Sequence, residues 1–161
     1  MSPAGPRELA TAIEAIAARY PDRRSAVLPA LRLAQEEHGG WLPPEAFKEV
    51  GDALGLTPGY CQAVASFYDM LHLAPVGRHL VEVCTNLSCA LVGAQSVVNA
   101  FEQELGVPAG ETTEDGEVTF RAVECLGGCG YAPVVSIDER YRHNVRPEDA
   151  AAIVEELRAG R

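Results

Sequence analysis

The sequence has little positive charge: 13 Lys and Arg stand against 23 Asp and Glu, for a formal charge of −10 at pH 7. That balance excludes a sequence-independent grip on phosphate backbones or anionic lipid, so nucleic acid is not an expected partner. No apolar run approaches ~18 residues, so no direct membrane insertion is expected. The segment Met1 to Tyr20 lacks an apolar stretch of signal-peptide length, and Arg23-Arg24 leads into an amphipathic segment, which together read as a chain that stays in the cytosol. Also missing are G-x-G-x-x-G opening a helix after a strand, G-x-x-x-x-G-K-[ST], G-x-S-x-G and H-E-x-x-H. The chain is therefore expected to bind no nucleotide itself and to contribute no catalytic residue. Repeats and low-complexity tracts are absent too. What remains is ordinary globular material, 161 residues at 47% hydrophobic and 22% charged, enough for one small domain with a helical extension.

Residues 1–75 read as a helical unit of about four helices. Leu9, Ile13, Ile16 and Tyr20 recur at helical spacing, and Val27, Leu28, Leu31 and Ala34 form a second stripe beyond Pro21-Asp22. Past Gly39-Gly40 and Pro43-Pro44, residues 45–54 place Phe47, Val50 and Leu54 on one face. A fourth helix is expected from Thr57 as N-cap and Pro58 at the first helical position, with Tyr60, Val64, Phe67 and Leu71 inward and Pro75-Val76-Gly77 as its stop. Phe67 and Tyr68 carry two readings, a docking patch or ordinary core.

After Gly77 the periodicity changes. Residues 79–83 are β-prone, 92–105 helical, 118–123 alternate with period two, and 133–137 are apolar and β-branched. Asp138-Glu139 is expected to turn the chain into a short strand around 141–145, and Pro147 to open a last helix with Ile153, Val154 and Leu157 inward. The fold class expected is α+β: the helical unit, then, over 76–161, a thioredoxin-like α/β domain with a small mixed sheet.

Five cysteines in a cytosolic chain point to metal or redox chemistry before disulfides. Four form two pairs, Cys84-x4-Cys89 and Cys125-x3-Cys129, each just past a predicted strand. Neighbouring strands would deliver both pairs to one sheet edge. Disulfides are the weakest reading, since a chain this size builds its own core. Structural zinc usually repeats a tight x2 knuckle around one ion, whereas a two-iron cluster takes two cysteines per iron and suits two longer loops held apart. Gly127, Gly128 and Gly130 around Cys129 would let backbone N–H groups approach sulfur, though a tight turn would use them as well. With Glu82 and Glu124 near the ligands in an acidic chain, added electrons are disfavoured, and the potential is expected toward the low end for such clusters. Cys61 falls in the fourth helix and reads as a buried small hydrophobe. The four histidines read as surface residues and not as ligands.

Several stretches together resemble a known family. They are Ala65-Ser66-Phe67-Tyr68-Asp69-Met70, Pro75-Val76-Gly77, Val83-Cys84-Thr85-Asn86-Leu87-Ser88-Cys89, the segment from Gly110 to Gly116, and Val123-Glu124-Cys125-Leu126-Gly127-Gly128-Cys129-Gly130-Tyr131-Ala132-Pro133-Val134-Val135. In order and spacing they are similar to the E subunit of NADH-quinone oxidoreductase, respiratory complex I. The resemblance implies one [2Fe–2S] cluster on Cys84, Cys89, Cys125 and Cys129, in a thioredoxin-like ferredoxin domain. It also implies a flavoprotein partner that binds FMN and NADH, and a place in a peripheral arm at the inner membrane. Relatives in NAD-reducing hydrogenases and NAD-dependent formate dehydrogenases are the alternative parents. A zinc-stabilised adaptor is the alternative of another class. The helical unit then either docks the subunit on the flavoprotein or covers a face of the sheet.

Overall fold

The computed structural model describes residues 6–160, so the reading of the first twenty residues as leaderless lies partly outside the described residues. The chain divides into two compact units, Met1–Pro75 and Val76–Arg161.

The first unit contains α1 (Pro6–Ala17), a 3-10 turn (Arg23–Ala26), α2 (Val27–Glu37), α3 (Pro44–Leu54) and α4 (Pro58–Phe67). Local chemistry sets the boundaries. The Asp22 carboxylate accepts a hydrogen bond from the Arg24 N–H at 2.9 Å and so opens the 3-10 turn that leads into α2. Thr57 Oγ1 accepts from the Tyr60 N–H at 3.2 Å, and Pro58 occupies the first position of α4, where its missing N–H costs nothing. The core is Leu9, Ile13 and Ala17 of α1 against Ala30, Leu31 and Ala34 of α2 and Phe47, Val50 and Leu54 of α3.

Helix α4 departs from the expected stripe at Phe67. Its buried residues are Cys61 and Ala65, one turn apart, while Phe67 is 81% exposed. Tyr60 and Val64 stay partly buried against the same core, and the Arg24 guanidinium lies 4.5 Å above the Tyr60 ring. The helix also stops at Phe67 and does not continue to Leu71. Gln35 captures the following segment instead, donating from Nε2 to Met70 O at 3.1 Å and accepting from His72 N–H at 2.6 Å. Leu71 is buried, but from an irregular strap.

The second unit runs β1 (His79–Cys84), α5 (Leu87–Leu91), α6 (Ala94–Leu105), β2 (Val118–Val123), β3 (Val135–Ile137), β4 (Arg140–Arg142) and α7 (Asp149–Ala159). The four strands form one mixed sheet in the order β2-β1-β3-β4, with β1 parallel to β2 and antiparallel to β3. A parallel β1–β2 pair requires a crossover, which α5 and α6 supply. Val81, Val83, Val118, Phe120, Val135 and Ile137 of the sheet share a core with Val97, Phe101 and Leu105 of α6 and Ile153, Val154 and Leu157 of α7. Phe101 and Phe120 stack at 5.7 Å.

Three boundaries differ from expectation. The helix expected over 92–105 begins at Ala94, after Gly93, whose φ of 95° suits glycine, and a short helix not expected, α5, precedes it. The third strand begins at Val135 and not at 133, where Pro133 has no N–H to donate to a ladder. The fourth is Arg140–Arg142 and not 141–145, because Asn144 N–H and Val145 N–H donate to Tyr131 O and Pro133 O and draw the chain off the sheet. Among the described residues no helix is long and apolar enough to cross a membrane.

One glycine is required by space. A Cβ on Gly77 would lie 2.8 Å from the backbone of Val118 and Thr119 in β2. Gly77→Ala is expected to lower unfolding free energy by about 2 kcal/mol, because strand backbone cannot step aside as a side chain can. Unchanged urea denaturation would contradict this.

Candidate functional site

Parallel pairing of β1 and β2 decides where the cysteines meet. Cys84 stands opposite Val123 in the register, so both strands end at one edge of the sheet, and Cys125 follows two residues later. Thr85 ties the two exits together: its N–H and its hydroxyl both donate to Val123 O, at 2.8 and 3.0 Å. The Cys84 thiol donates to Glu124 O at 3.8 Å.

Asn86 caps α5 through its side-chain oxygen, which accepts from the Leu87 N–H at 2.7 Å, and this short helix carries Cys89 inward. Cys84 and Cys89 are buried, while Cys125 and Cys129 are exposed. On the second loop the Gly127 N–H donates to Cys125 Sγ at 3.4 Å, and Cys129 opens a 3-10 turn. Cys84, Cys89, Ala94 and Val134 make a small apolar cluster of their own.

All five cysteines are free thiols. Burial pushes the Cys89 thiol above its ordinary value; a backbone hydrogen bond from Val134 opposes this, and Cys84 and Cys129 raise it further. Among the described residues no three His, Cys, Asp or Glu side chains gather as ligands of one metal ion. The donor set suits a group that takes ligands in pairs: four thiols, one buried pair and one exposed pair, with a backbone N–H already on one sulfur.

The histidines stand apart from the thiols. His38 Nε2 pairs with Glu49 and His79 Nδ1 with Asp138, each at 2.7 Å, and His143 stacks on Tyr131 at 4.7 Å. His72 corrects the surface reading: it is 8% exposed, because the strap held by Gln35 folds it inward.

Cys61 belongs to the core of the first unit and not to the thiol group. Burial raises its thiol too, which keeps it protonated and inert. Cys61→Ser is expected to cost about 1–3 kcal/mol of stability, the penalty for a buried hydroxyl. Iron binding should be unchanged, as iron analysis of the purified variant would report.

Comparison with known proteins shows the family. The family of thioredoxin-like [2Fe-2S] ferredoxins matches residues 13–158 of the chain. The chain belongs to that family. Among its ferredoxin relatives, the E 2 subunit of NADH-quinone oxidoreductase from Rhizobium meliloti (strain 1021) is 44% identical over 147 residues, covering 91% of this chain and 87% of the relative. The E subunit of the same oxidoreductase from Mycobacterium bovis (strain ATCC BAA-935 / AF2122/97) is 45% identical over 144 residues, 89% of this chain but 57% of that longer protein. The ferredoxin fold also matches an NAD+-reducing [NiFe]-hydrogenase in the air-oxidized state, with a TM-score of 0.73 at 24% identity over 83% of this chain and 23% of the hydrogenase chain. At that identity the likeness speaks for the fold alone.

Two residues of the site carry no signal of their role in the sequence, Val134 and Thr85. Both read there as ordinary strand or loop residues. Only the packing of one cysteine loop against the other shows what they touch.

Proposed function

We propose that this ferredoxin is the electron-transfer subunit of an NADH-quinone oxidoreductase, with Cys84, Cys89, Cys125 and Cys129 as the ligands of one [2Fe–2S] cluster. The observation that carries the reading is the common exit of β1 and β2, which brings the two cysteine loops to one edge of the sheet. Bound there, the cluster supplies one-electron redox capacity.

The chain's own residues do the rest. Cys84 and Cys89 keep one side dry, and the Gly127 N–H disperses negative charge on the Cys125 sulfur. The exposed Cys125 and Cys129 face outward, where a partner can approach closely. The partner in this proposal is the flavoprotein that binds NADH and FMN, and single electrons pass between its FMN and this subunit. The chain is not expected to oxidise NADH alone. Its place is a peripheral arm on the cytoplasmic side of the inner membrane.

The helical unit has a part in the same proposal. Phe67, Met70 and Leu73 are exposed apolar residues around the end of α4, and Phe67 stacks edge-on against Tyr68 at 5.1 Å. This patch is the proposed docking surface for the flavoprotein.

Colour is the first test. Purified anaerobically, the protein is expected to be brown, to hold about two irons and two acid-labile sulfides, and to bleach with dithionite. A colourless protein with one zinc would instead establish the adaptor reading.

A further inference from the structure

One buried side chain, Val134, packs against both cysteine loops. Val134 is fully buried among Cys84, Cys89 and Ala94 of the first loop and its following helix, with Leu126 and Ala132 packed against the same cluster. Its carbonyl accepts from the Cys84 N–H at 3.0 Å. On the other side it meets Gly128, the residue before Cys129. A Cβ on Gly128 would lie 2.9 Å from Val134 Cγ2, closer than such atoms ever pack.

Gly128 is not glycine for reasons of backbone conformation. Its φ is −95°, open to any L residue, whereas Gly127 beside it has a φ of +76° and open space around it. At 128 only the Val134 methyl excludes a side chain. That methyl cannot swing away, since a β-branched residue has few χ1 states and this one is enclosed on all sides.

We propose that Val134 is a positioning residue that sets the separation of the two thiol pairs, and that Gly128 is the notch into which its Cγ2 methyl fits. The inference rests on the cluster reading above and adds to it the contact that holds the two halves of the ligand set in register. Its effect would be on how well the two thiol pairs are held for the cluster.

A compensating pair of substitutions tests this in the full-length holoprotein. Gly128→Ala is expected to push the loops apart and speed iron loss to an added chelator by about tenfold, with altered visible circular dichroism and EPR lines. In Gly128→Ala/Val134→Ala the new methyl occupies the space that Cγ2 vacates. The double variant is therefore expected to release iron within about threefold of wild type, with the wild-type spectra restored. A merely structural role predicts the reverse: the double variant, with two core defects, would be worse than either single one.

Thermal unfolding followed by far-ultraviolet circular dichroism checks that each variant is folded, and chelation is measured well below its midpoint. Additive effects of the two substitutions on iron loss would overturn the inference while leaving the cluster reading intact. A wild-type protein that holds no iron would overturn the cluster reading, and the inference with it.

Discussion

Cys89→Ser is expected to yield a nearly colourless protein, with iron content at roughly a tenth of wild type or less. Serine oxygen is a harder and more basic donor than thiolate, and at this position it would be buried within an apolar cluster with Cys84, Ala94 and Val134. Because the ligand loops are organised by what they bind, loss of the cluster is also expected to lower stability by about 3 kcal/mol, seen as an earlier thermal transition. Cys84→Ser, Cys125→Ser and Cys129→Ser are expected to lose the cluster as well, but not equally. Cys125 and Cys129 are exposed, so serine there is solvated and damages the apo fold least. Cys61→Ser is the internal control and stays brown. A colourless Cys61→Ser beside a brown Cys89→Ser would reverse the ligand assignment.

Removing the helical unit is expected to separate holding a cluster from using it. A fragment starting at Val76 retains every strand, the four paired cysteines and the core of α6 and α7. It is expected to assemble a reducible cluster when reconstituted with iron and sulfide. It is also expected to fail to co-purify with the flavoprotein and to remain oxidised when NADH is added to the mixture, because the exposed apolar patch around Phe67 has gone with the helices. Normal complex formation by the fragment would end the docking proposal. Aggregation of the fragment, or failure to hold the cluster, would assign the helices to covering the sheet instead. Phe67→Ala in the intact chain refines the test: it removes exposed surface, so it should weaken co-purification while leaving thermal stability within about 0.5 kcal/mol.

Much of the fold is legible in the order of residues alone. Hydrophobic periodicity places α1, α2 and α3, and the capping pair Thr57-Pro58 marks the start of α4. Period-two alternation places β2 to the residue, although Val118, Thr119 and Phe120 are all buried, which the alternation does not show. Where expectation and structure part, a non-local interaction has overridden a local one. The end of α4 depends on Gln35, some thirty residues upstream. The end of β4 depends on carbonyls of Tyr131 and Pro133 that compete with the ladder. No window of local sequence contains those partners.

Residue type and spacing, written along the chain, supply the chemistry available: two spaced pairs of thiols, an acidic chain, and no nucleotide-binding motif. Tertiary structure decided what those thiols can do together. Parallel pairing of β1 with β2 put both loops at one sheet edge, burial divided the four into a dry pair and a wet pair, and Val134 pressed into the space that Gly128 leaves open. Each of these depends on packing between separate stretches of the chain, so each exists only once the sheet has closed and the loops have packed.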